Sequence, residues 1–354
     1  MTWRECRLGD VMHLQRGHDL PADKRREGEV PVVSSSGITG FHNEAKAQPP
    51  GVVTGRYGTL GEVYFLDRDY WPLNTALYVT DFKGNDPKFT AYFLKHVLKD
   101  YQSDKAAVPG VDRNVLHEIK VRAPDTPHQK RIARALSAYD DLIDNNRRRN
   151  KLLEDSVRLL FDEWFVRMRF PGSQSVASVD GLPHGWQRLP LQQVLFLQRG
   201  FDLPFQNREE GPVPIYGATG INGFHNMAKV RGPGIVTGRA GSLGDVHFVL
   251  GDFWPLNTSL WVKELRRATP RFAVHLLRAM KLDRYGQGAT MPMLDRKVVH
   301  QVDILLPPPD LMAKFESFST DVYNQIGTLQ RLNQQLTIAR DLLLPRLMSG
   351  ALVV

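Results

Sequence analysis

Residues 30–79 read VPVVSSSGITGFHNEAKAQPPGVVTGRYGTLGEVYFLDRDYWPLNTALYV, and residues 213–262 read VPIYGATGINGFHNMAKVRGPGIVTGRAGSLGDVHFVLGDFWPLNTSLWV. The stretches lie 183 positions apart and share 29 of 50 residues without a gap. The same offset sets LGDVMHLQRGHDLP (8–21) against LQQVLFLQRGFDLP (191–204), with 9 of 14 positions identical. It also pairs Trp3 with Trp186, Pro109 with Pro292, Asp112 with Asp295, Arg113 with Arg296 and Pro124 with Pro307. One register held over that span is a tandem duplication, and a duplication decides the architecture before any single element is assigned. The second copy, starting at 184, lacks about a dozen residues present in the first. The excess falls in PGSQSVASVDGLP (171–183), whose Pro, Gly and Ser content is that of a linker.

Outward from the repeated block, each copy has two parts. The first carries short β-rich runs (GVVTG, EVYFL, TALYVT; GIVTG, DVHFV, TSLWV) punctuated by Gly, Pro and Asn, with a helical stretch near 88–99 and 271–282. A proline-bearing segment (RAPDTPHQ; LLPPPD) then leads into a long helix. In the first helix Ile132, Leu136, Tyr139, Ile143, Asn146, Asn150, Leu153, Val157, Leu160 and Trp164 recur at spacings alternating four and three, a coiled-coil seam. Phe315, Val322, Ile326, Leu329, Asn333, Leu336, Leu343 and Leu347 keep that register in the second, with Ser319 and Arg340 breaking it.

An apolar stripe on a lone helix would stay wet, so the two helices are expected to pair with each other. Duplication implies a pseudo-two-fold axis, and the short linker favours an antiparallel arrangement. The expected fold is therefore α+β, with two tandem globular parts and an antiparallel coiled coil. The boundaries are 1–125 and 186–308 for the globular parts, 126–169 and 309–350 for the helices, and 170–185 for the linker. Asn150 and Asn333 hold the same seam position in the two copies. They either fix the helix register or sit exposed on a frayed seam.

Composition narrows the function classes. The chain has 354 residues, 46 Lys plus Arg against 38 Asp plus Glu, a net charge of +8, and 42% hydrophobic residues. That excludes wholesale disorder, and the basic balance points weakly to an anionic partner. No apolar run is long enough to span a bilayer, and MTWRECRLGD lacks the apolar core of a signal peptide, so a cytoplasmic protein with no membrane partner is expected. The single cysteine, Cys6, allows no internal disulfide and no multi-cysteine zinc site, and reads as a small residue at a core edge.

Catalytic signatures are missing. There is no GxxxxGK[ST] loop, HExxH helix, GxSxG elbow or CxxC pair. GRYGTLG (55–61) and GRAGSLG (238–244) have the wrong spacing for a dinucleotide fingerprint and precede β-rich sequence. Neither a methyltransferase tetrad nor a nuclease carboxylate–lysine cluster occurs, so no catalytic or metal-ligating residue is expected. What recurs is basic and polar residues among glycines, suited to base edges and phosphates. In the first copy these are Arg16, His18, Ser34, Ser35, Ser36, Thr39, His42, Asn43, Lys46, Arg56, Tyr57, Thr59 and Arg113. In the second they are Arg199, Tyr216, Thr219, Asn222, His225, Asn226, Lys229, Arg239, Ser242, Thr290 and Arg296. Each has a plainer alternative: Arg56 and Arg239 as turn braces, His42 and His225 as core histidines. Asn74 and Asn257 read as capping or turn residues rather than base contacts. Substitutions between the copies (Ser34-Ser35-Ser36 to Gly217-Ala218-Thr219, Val33 to Tyr216, Tyr57 to Ala240, Thr39 to Asn222, His18 to Phe201) mark where two half-sites would be told apart.

The ordered set LQRGxDLP, the run ending GFHN, TGRxG, WPLNT, GATMPMLDR (288–296) and LPHGW (182–186) resembles the specificity subunit of type I restriction-modification systems, over essentially the whole chain. The resemblance implies two target recognition domains reading the halves of a bipartite site in double-stranded DNA. It further implies helices that dock two methyltransferase subunits and the motor-nuclease subunits. Adenine methylation with S-adenosylmethionine, and restriction with ATP and magnesium, would belong to those partners, leaving this chain without a cofactor. In the first copy the GATMP stretch reads DKAAVPGVDR (104–113), which weakens the expectation of DNA contacts from that loop. The high identity of the two copies predicts a nearly palindromic site. The competing readings are a stand-alone DNA-binding adaptor or repressor without methyltransferase partners, and a protein-binding scaffold.

Overall fold

A computed structural model describes residues 3–57, 61–99, 101, 110–179, 181–288 and 292–354. The chain divides into two compact units. Unit 1 is Met1–Arg147 with Gln330–Val354, and unit 2 is Arg148–Leu329.

Unit 1 begins with β1 (Trp3–Arg7), α1 (Leu8–Val11), β2 (His13–Arg16), β3 (Val30–Ser34), β4 (Gly37–His42) and β5 (Gly51–Gly55). It continues with β6 (Val63–Leu66), β7 (Trp71–Pro72), β8 (Ala76–Asp81), α2 (Pro87–Lys99), α3 (Arg113–Glu118), β9 (Lys120–Pro124) and the start of α4 (Thr126–Phe161). An antiparallel sheet runs in the order β2-β8-β5-β6, and a second in the order β4-β3-β7, with β3 and β7 parallel. Strand β5 is buried along its whole length, and its period of two feeds two cores. Val52 packs with Leu14, Phe89 and Leu94 from the α2 side, while Val53 packs with Val33, Tyr70 and Tyr78. Gly51 has no alternative there, because a Cβ would lie 2.4 Å from a Tyr70 ring carbon. Strand β1 pairs with β9, which carries the chain from the sheets into α4.

Unit 2 takes in the end of α4 and one π-helical turn at Asp162–Val166, followed by β10 (Ser178–Val179) and β11 (Leu182–Pro183). Then come β12 (Gln187–Pro190), α5 (Leu191–Val194), β13 (Phe196–Arg199), β14 (Val213–Gly217), β15 (Gly220–His225) and β16 (Gly234–Gly238). After these lie β17 (Val246–Val249), β18 (Trp254–Pro255), β19 (Ser259–Glu264), α6 (Pro270–Ala279), β20 (Gly286–Gln287) and β21 (Met293–Leu294). It closes with α7 (Arg296–His300), β22 (Asp303–Leu306) and the start of α8 (Pro309–Met348). Its sheets, β13-β19-β16-β17 and β15-β14-β18, repeat those of unit 1 strand for strand. Ile235 and Val236 divide between two cores as Val52 and Val53 do.

The long helices pair inside each unit. In unit 1, Ile132 and Leu136 from early α4 share a core with Leu344, Leu347 and Met348 from late α8, while Asn146 meets Asn333. Later residues of α4 thus meet earlier residues of α8, which is antiparallel packing. In unit 2, Val157 and Phe161 pack in one core with Phe315, Val322 and Ile326. The two interruptions of the seam have local causes. Ser319 is fully buried, and its hydroxyl donates to the Phe315 carbonyl at 2.6 Å. Arg340 pairs with Asp140.

Of the two asparagines expected to fix the helix register, Asn333 bonds across the helix pair, and the expectation needs correcting for Asn150. Asn333 bonds Asn146, and the Asn150 carboxamide oxygen is buried without a partner among the described residues. In an antiparallel pair, equivalent positions of the two copies face each other only at the pseudo-two-fold axis. The register that sets Trp164 beside Phe315 brings Asn150 opposite Leu329 after an equal step along each helix.

Candidate nucleic-acid interface

Three arginines distant in sequence converge in unit 1. Arg16 closes β2 and pairs with Leu77 of β8, while Thr54 of β5 pairs with the same Leu77 from the other side. Arg16 and Arg56 therefore leave the sheet at one end. The Val111 N–H donates to the Arg56 carbonyl at 2.8 Å, and Tyr57 bridges Gly110, which draws in the loop carrying Arg113. Asp112 caps α3 by accepting from the Asn114 N–H at 2.9 Å. Arg16, Arg56, Tyr57, Arg113 and Asn114 line a cavity of about 290 Å³, and none of the three arginines is in an ion pair among the described residues. The Arg56 guanidinium lies 4.6 Å above the Tyr57 ring, so stacking orients the fork and leaves its N–H edge for a ligand. The Gly in Gln-Arg-Gly is structural: a Cβ on Gly17 would meet the Leu73 carbonyl oxygen at 2.2 Å.

Unit 2 builds the same end of the sheet. Arg199 and Thr237 flank Leu260, and the Leu294 N–H donates to the Arg239 carbonyl at 2.8 Å, which brings up Arg296 at the start of α7. A Cβ on Gly200 would lie 2.1 Å from the Leu256 carbonyl oxygen. One side chain differs. Ala240 stands where Tyr57 stacks, and Arg239 instead donates to the Asn257 carbonyl at 3.2 Å. Arg199 lies 3.9 Å from Asp202. Arg239 thus braces its turn, whereas the Arg56 guanidinium stays on the Tyr57 ring at the cavity wall. Among the described residues no cluster of metal-ligating side chains occurs, and no helix is long and apolar enough to cross a membrane.

Several other expected contacts are structural. His42 and His225 are buried core histidines, 4% and 5% exposed, each packed edge-on against Trp71 or Trp254. Their Nδ1 atoms take the N–H of Arg26 or Glu209, so they are corrected from surface readers to core groups. His18 bonds the Tyr78 hydroxyl at 3.2 Å and packs against Trp71. Ser34 is buried and closes the β3–β4 turn, accepting the Ser36 N–H at 3.1 Å and contacting the Ser36 hydroxyl at 3.0 Å. It too is corrected to a turn residue. Tyr216 is half-buried against Phe253 and His247.

Others stay at the surface. Ser36, Thr39, Asn43, Thr219, Asn222, Asn226 and Ser242 are exposed, and Ser35 is half-buried. Thr39 and Asn222 carbonyls accept from Arg25 and Arg208 at 2.8 Å, so these hairpins are braced from the preceding loop. Asn226 donates to Glu209. Lys46 and Lys229 sit over the Trp71 and Trp254 rings at 5.1 and 5.3 Å. Asn74 and Asn257 tie their turns to Asp19 and Asp202. Thr59, Thr290 and most of the 104–113 loop lie outside the described residues.

Sequence reasoning missed two repeated features. His117 accepts the Leu14 N–H at 2.9 Å and His300 accepts the Leu197 N–H at 3.0 Å, anchoring α3 and α7 under the arginine-bearing strands. Burial holds both rings below the ordinary histidine range, which suits neutral acceptors. Ile38 and Phe41, like Ile221 and Phe224, stand more than half exposed on β4 and β15. The offset of 183 marks all of them, but repetition alone does not separate a core group from a surface one.

Residues 1–155 match the family model of the type I restriction modification DNA specificity domain. The MjaIX specificity subunit of a type I restriction enzyme from Methanocaldococcus jannaschii is 25% identical over 294 residues, covering 75% of this chain and 68% of the relative. The MjaVIII specificity subunit from the same organism is 26% identical over 214 residues, covering 56% of this chain and 50% of the relative. The crystal structure of a type I restriction-modification S subunit from M. genitalium superposes with a TM-score of 0.58 at 18% identity, covering 98% of this chain and 96% of that one. Residues 1–155 are thus similar to the type I restriction modification DNA specificity domain, the second copy repeats their arginine-bearing sheet end, three quarters of the chain is similar in sequence to a type I specificity subunit, and the fold is shared over 98% of its length.

Proposed function

We propose that this chain is the DNA-recognition subunit of a type I restriction-modification complex, each unit reading one half of a bipartite double-stranded site. The observation that carries the reading is the family match over 1–155, joined to a cluster whose three arginines recur at the equivalent positions of the second copy. Arginine forks beside glycine-lined turns suit guanine edges and phosphate oxygens, and the net charge of +8 favours the polyanion. Two readers of nearly the same build select similar half-sites, and readers that address opposite strands select them inverted, so the site is nearly palindromic around an unread spacer.

In this reading the chain performs no chemistry and binds no cofactor. Two methyltransferase subunits supply S-adenosylmethionine and methylate adenine, and motor-nuclease subunits supply ATP- and magnesium-dependent restriction, in the cytoplasm. The test is co-expression with the methyltransferase subunit in a methylation-free host, followed by single-molecule sequencing for modified adenines. A bipartite, nearly palindromic motif is the expected result. An asymmetric motif would keep the function and sink the symmetry argument. Absence of any motif from a stable complex, with tight specific binding by the chain alone, would favour a stand-alone adaptor or repressor.

A further inference from the structure

The duplication has diverged in concert at one helix contact. In unit 1 the Asp140 carboxylate accepts from the Tyr92 hydroxyl and from Arg340, the residue that interrupts the seam of α8. Arg340 also reaches Asp341 on its own helix at 2.8 Å, and its side chain is only 18% exposed. At the equivalent places in unit 2 stand His275, Tyr323 and Val157, none of them charged in the same way. His275 bonds the Tyr323 hydroxyl at 3.1 Å, Val157 is fully buried, and Arg271 covers the Tyr323 ring at 4.2 Å. Three positions on three elements have changed together, giving a charged contact in one unit and an aromatic one in the other.

Each unit joins the helix of one copy to the helix of the other, so these contacts depend on which copies pair. We propose that Asp140 and Arg340 form a selectivity key that makes the first copy pair with the second and disfavours pairing of either copy with its own kind. In a pair of first copies, Asp140 faces Val157 at both contacts, and a partly buried carboxylate keeps Tyr92 but loses its cation. In a pair of second copies, Arg340 arrives at Tyr323, where Arg271 already lies and Asp140 is absent. Breaking a partly buried ion pair from either side is unfavourable, whereas the mixed pair satisfies both groups.

The asparagines do not make this choice. Mixed pairing gives one Asn146–Asn333 bond and one Asn150–Leu329 mismatch. Among like pairs, first copies would place Asn146 against Asn150 twice, and second copies Leu329 against Asn333 twice. The total of matched asparagines is the same either way, which leaves the charge pair as the discriminating contact. Its consequence is that the two copies of one chain close on each other and like copies of separate chains do not join. The inference rests on the helix packing and not on the identity of the DNA site.

The full chain tests it. A protease site in the 171–183 linker allows the folded protein to be nicked, unfolded in urea, refolded by dilution and weighed by native mass spectrometry. Mixed pairs of first-copy and second-copy fragments should outnumber like pairs at least about tenfold, where random pairing would give equal numbers of each. Arg340→Val, which gives a pair of second copies the unit 2 arrangement at both contacts, should raise that like pair about fivefold, to its random share, while the reversal Asp140→Lys with Arg340→Glu should keep mixed pairing. A statistical mixture from the unmutated chain, or no change in Arg340→Val, overturns the proposal. A double-mutant cycle of Asp140→Asn and Arg340→Gln in the intact chain gives a second readout if nicked fragments do not refold. Coupling of about fivefold or more in the unfolding constant supports the key, and additive effects overturn it.

Discussion

The Asn146 carboxamide nitrogen lies 2.9 Å from the Asn333 carboxamide oxygen, and the Asn333 nitrogen donates in turn to the Ile143 carbonyl at 3.2 Å. Two polar side chains in an apolar seam thus satisfy each other across the helix pair of unit 1. Asn146 is 3% exposed, so it cannot turn to water if Asn333 is removed, whereas Asn333 is half-buried.

Asn333→Leu is therefore expected to destabilise the chain by about 1–3 kcal/mol, because it leaves a buried donor unpaired. The double variant Asn146→Leu, Asn333→Leu should recover most of that loss. Asn150→Leu should be neutral or stabilising, since the Asn150 oxygen already lacks a partner opposite Leu329. Urea unfolding of the three variants at one pH checks all three signs.

The arginine cluster predicts half-site effects. Arg16→Ala or Arg113→Ala should weaken DNA binding through the half-site read by unit 1, and Arg199→Ala or Arg296→Ala through the other. An arginine on a base edge costs about 1–3 kcal/mol and relaxes one position of the motif. An arginine on phosphate weakens all sequences alike and lowers the salt slope by about one. Competition binding on variant half-sites at two salt concentrations separates the outcomes.

Acid should loosen both units as the pH falls below the ordinary histidine range. Burial holds His117, His300 and His275 below the ordinary range, His275 at about 3, with the nearby Arg278, Arg271 and Arg158 adding to the effect. A histidine whose folded pKa is depressed contributes its full stability above the unfolded value of roughly 6.5, and loses it as pH falls toward the folded value. His275 alone should cost about 2 kcal/mol between pH 6.5 and 5. His275→Phe should remove that share of the pH dependence. Thermal unfolding of the parent and the variant at pH 7.5 and 5 measures it.

The fold was legible because duplication doubles every weak signal, and because the helix seam has a period that strands cannot imitate. The arginine cluster was legible as a set of repeated Arg-Gly turns, although its convergence was not. Arg16 and Arg113 are far apart in sequence, and only the pairing of β2, β5 and β8 with the Gly110 bridge joins them. The histidines misled for a physical reason. GFHN looks like a surface loop, yet the alternation of β4 turns His42 inward onto Trp71 while Phe41 points out. Asn150 misled because an equivalent seam position does not bring an equivalent partner: Asn333 meets Asn146, whereas the Asn150 oxygen meets none among the described residues.

Tyr57 offers the narrowest test of how the units differ. Both units place an arginine at the same sheet end, but only Arg56 has an aromatic ring beneath it, and Arg239 spends a donor on the Asn257 carbonyl. Stacking of this kind stabilises a guanidinium by about 0.5–1 kcal/mol at an exposed site and fixes its plane. Tyr57→Ala should free Arg56 to fold onto its own turn, as Arg239 does, and lower affinity for the first half-site by about two- to fivefold. Ala240→Tyr should do the reverse in unit 2. If the methylated motif of Tyr57→Ala becomes more symmetric than that of the parent, the stacked arginine is what distinguishes the half-sites. An unchanged motif with uniformly weaker methylation would place Arg56 on phosphate instead.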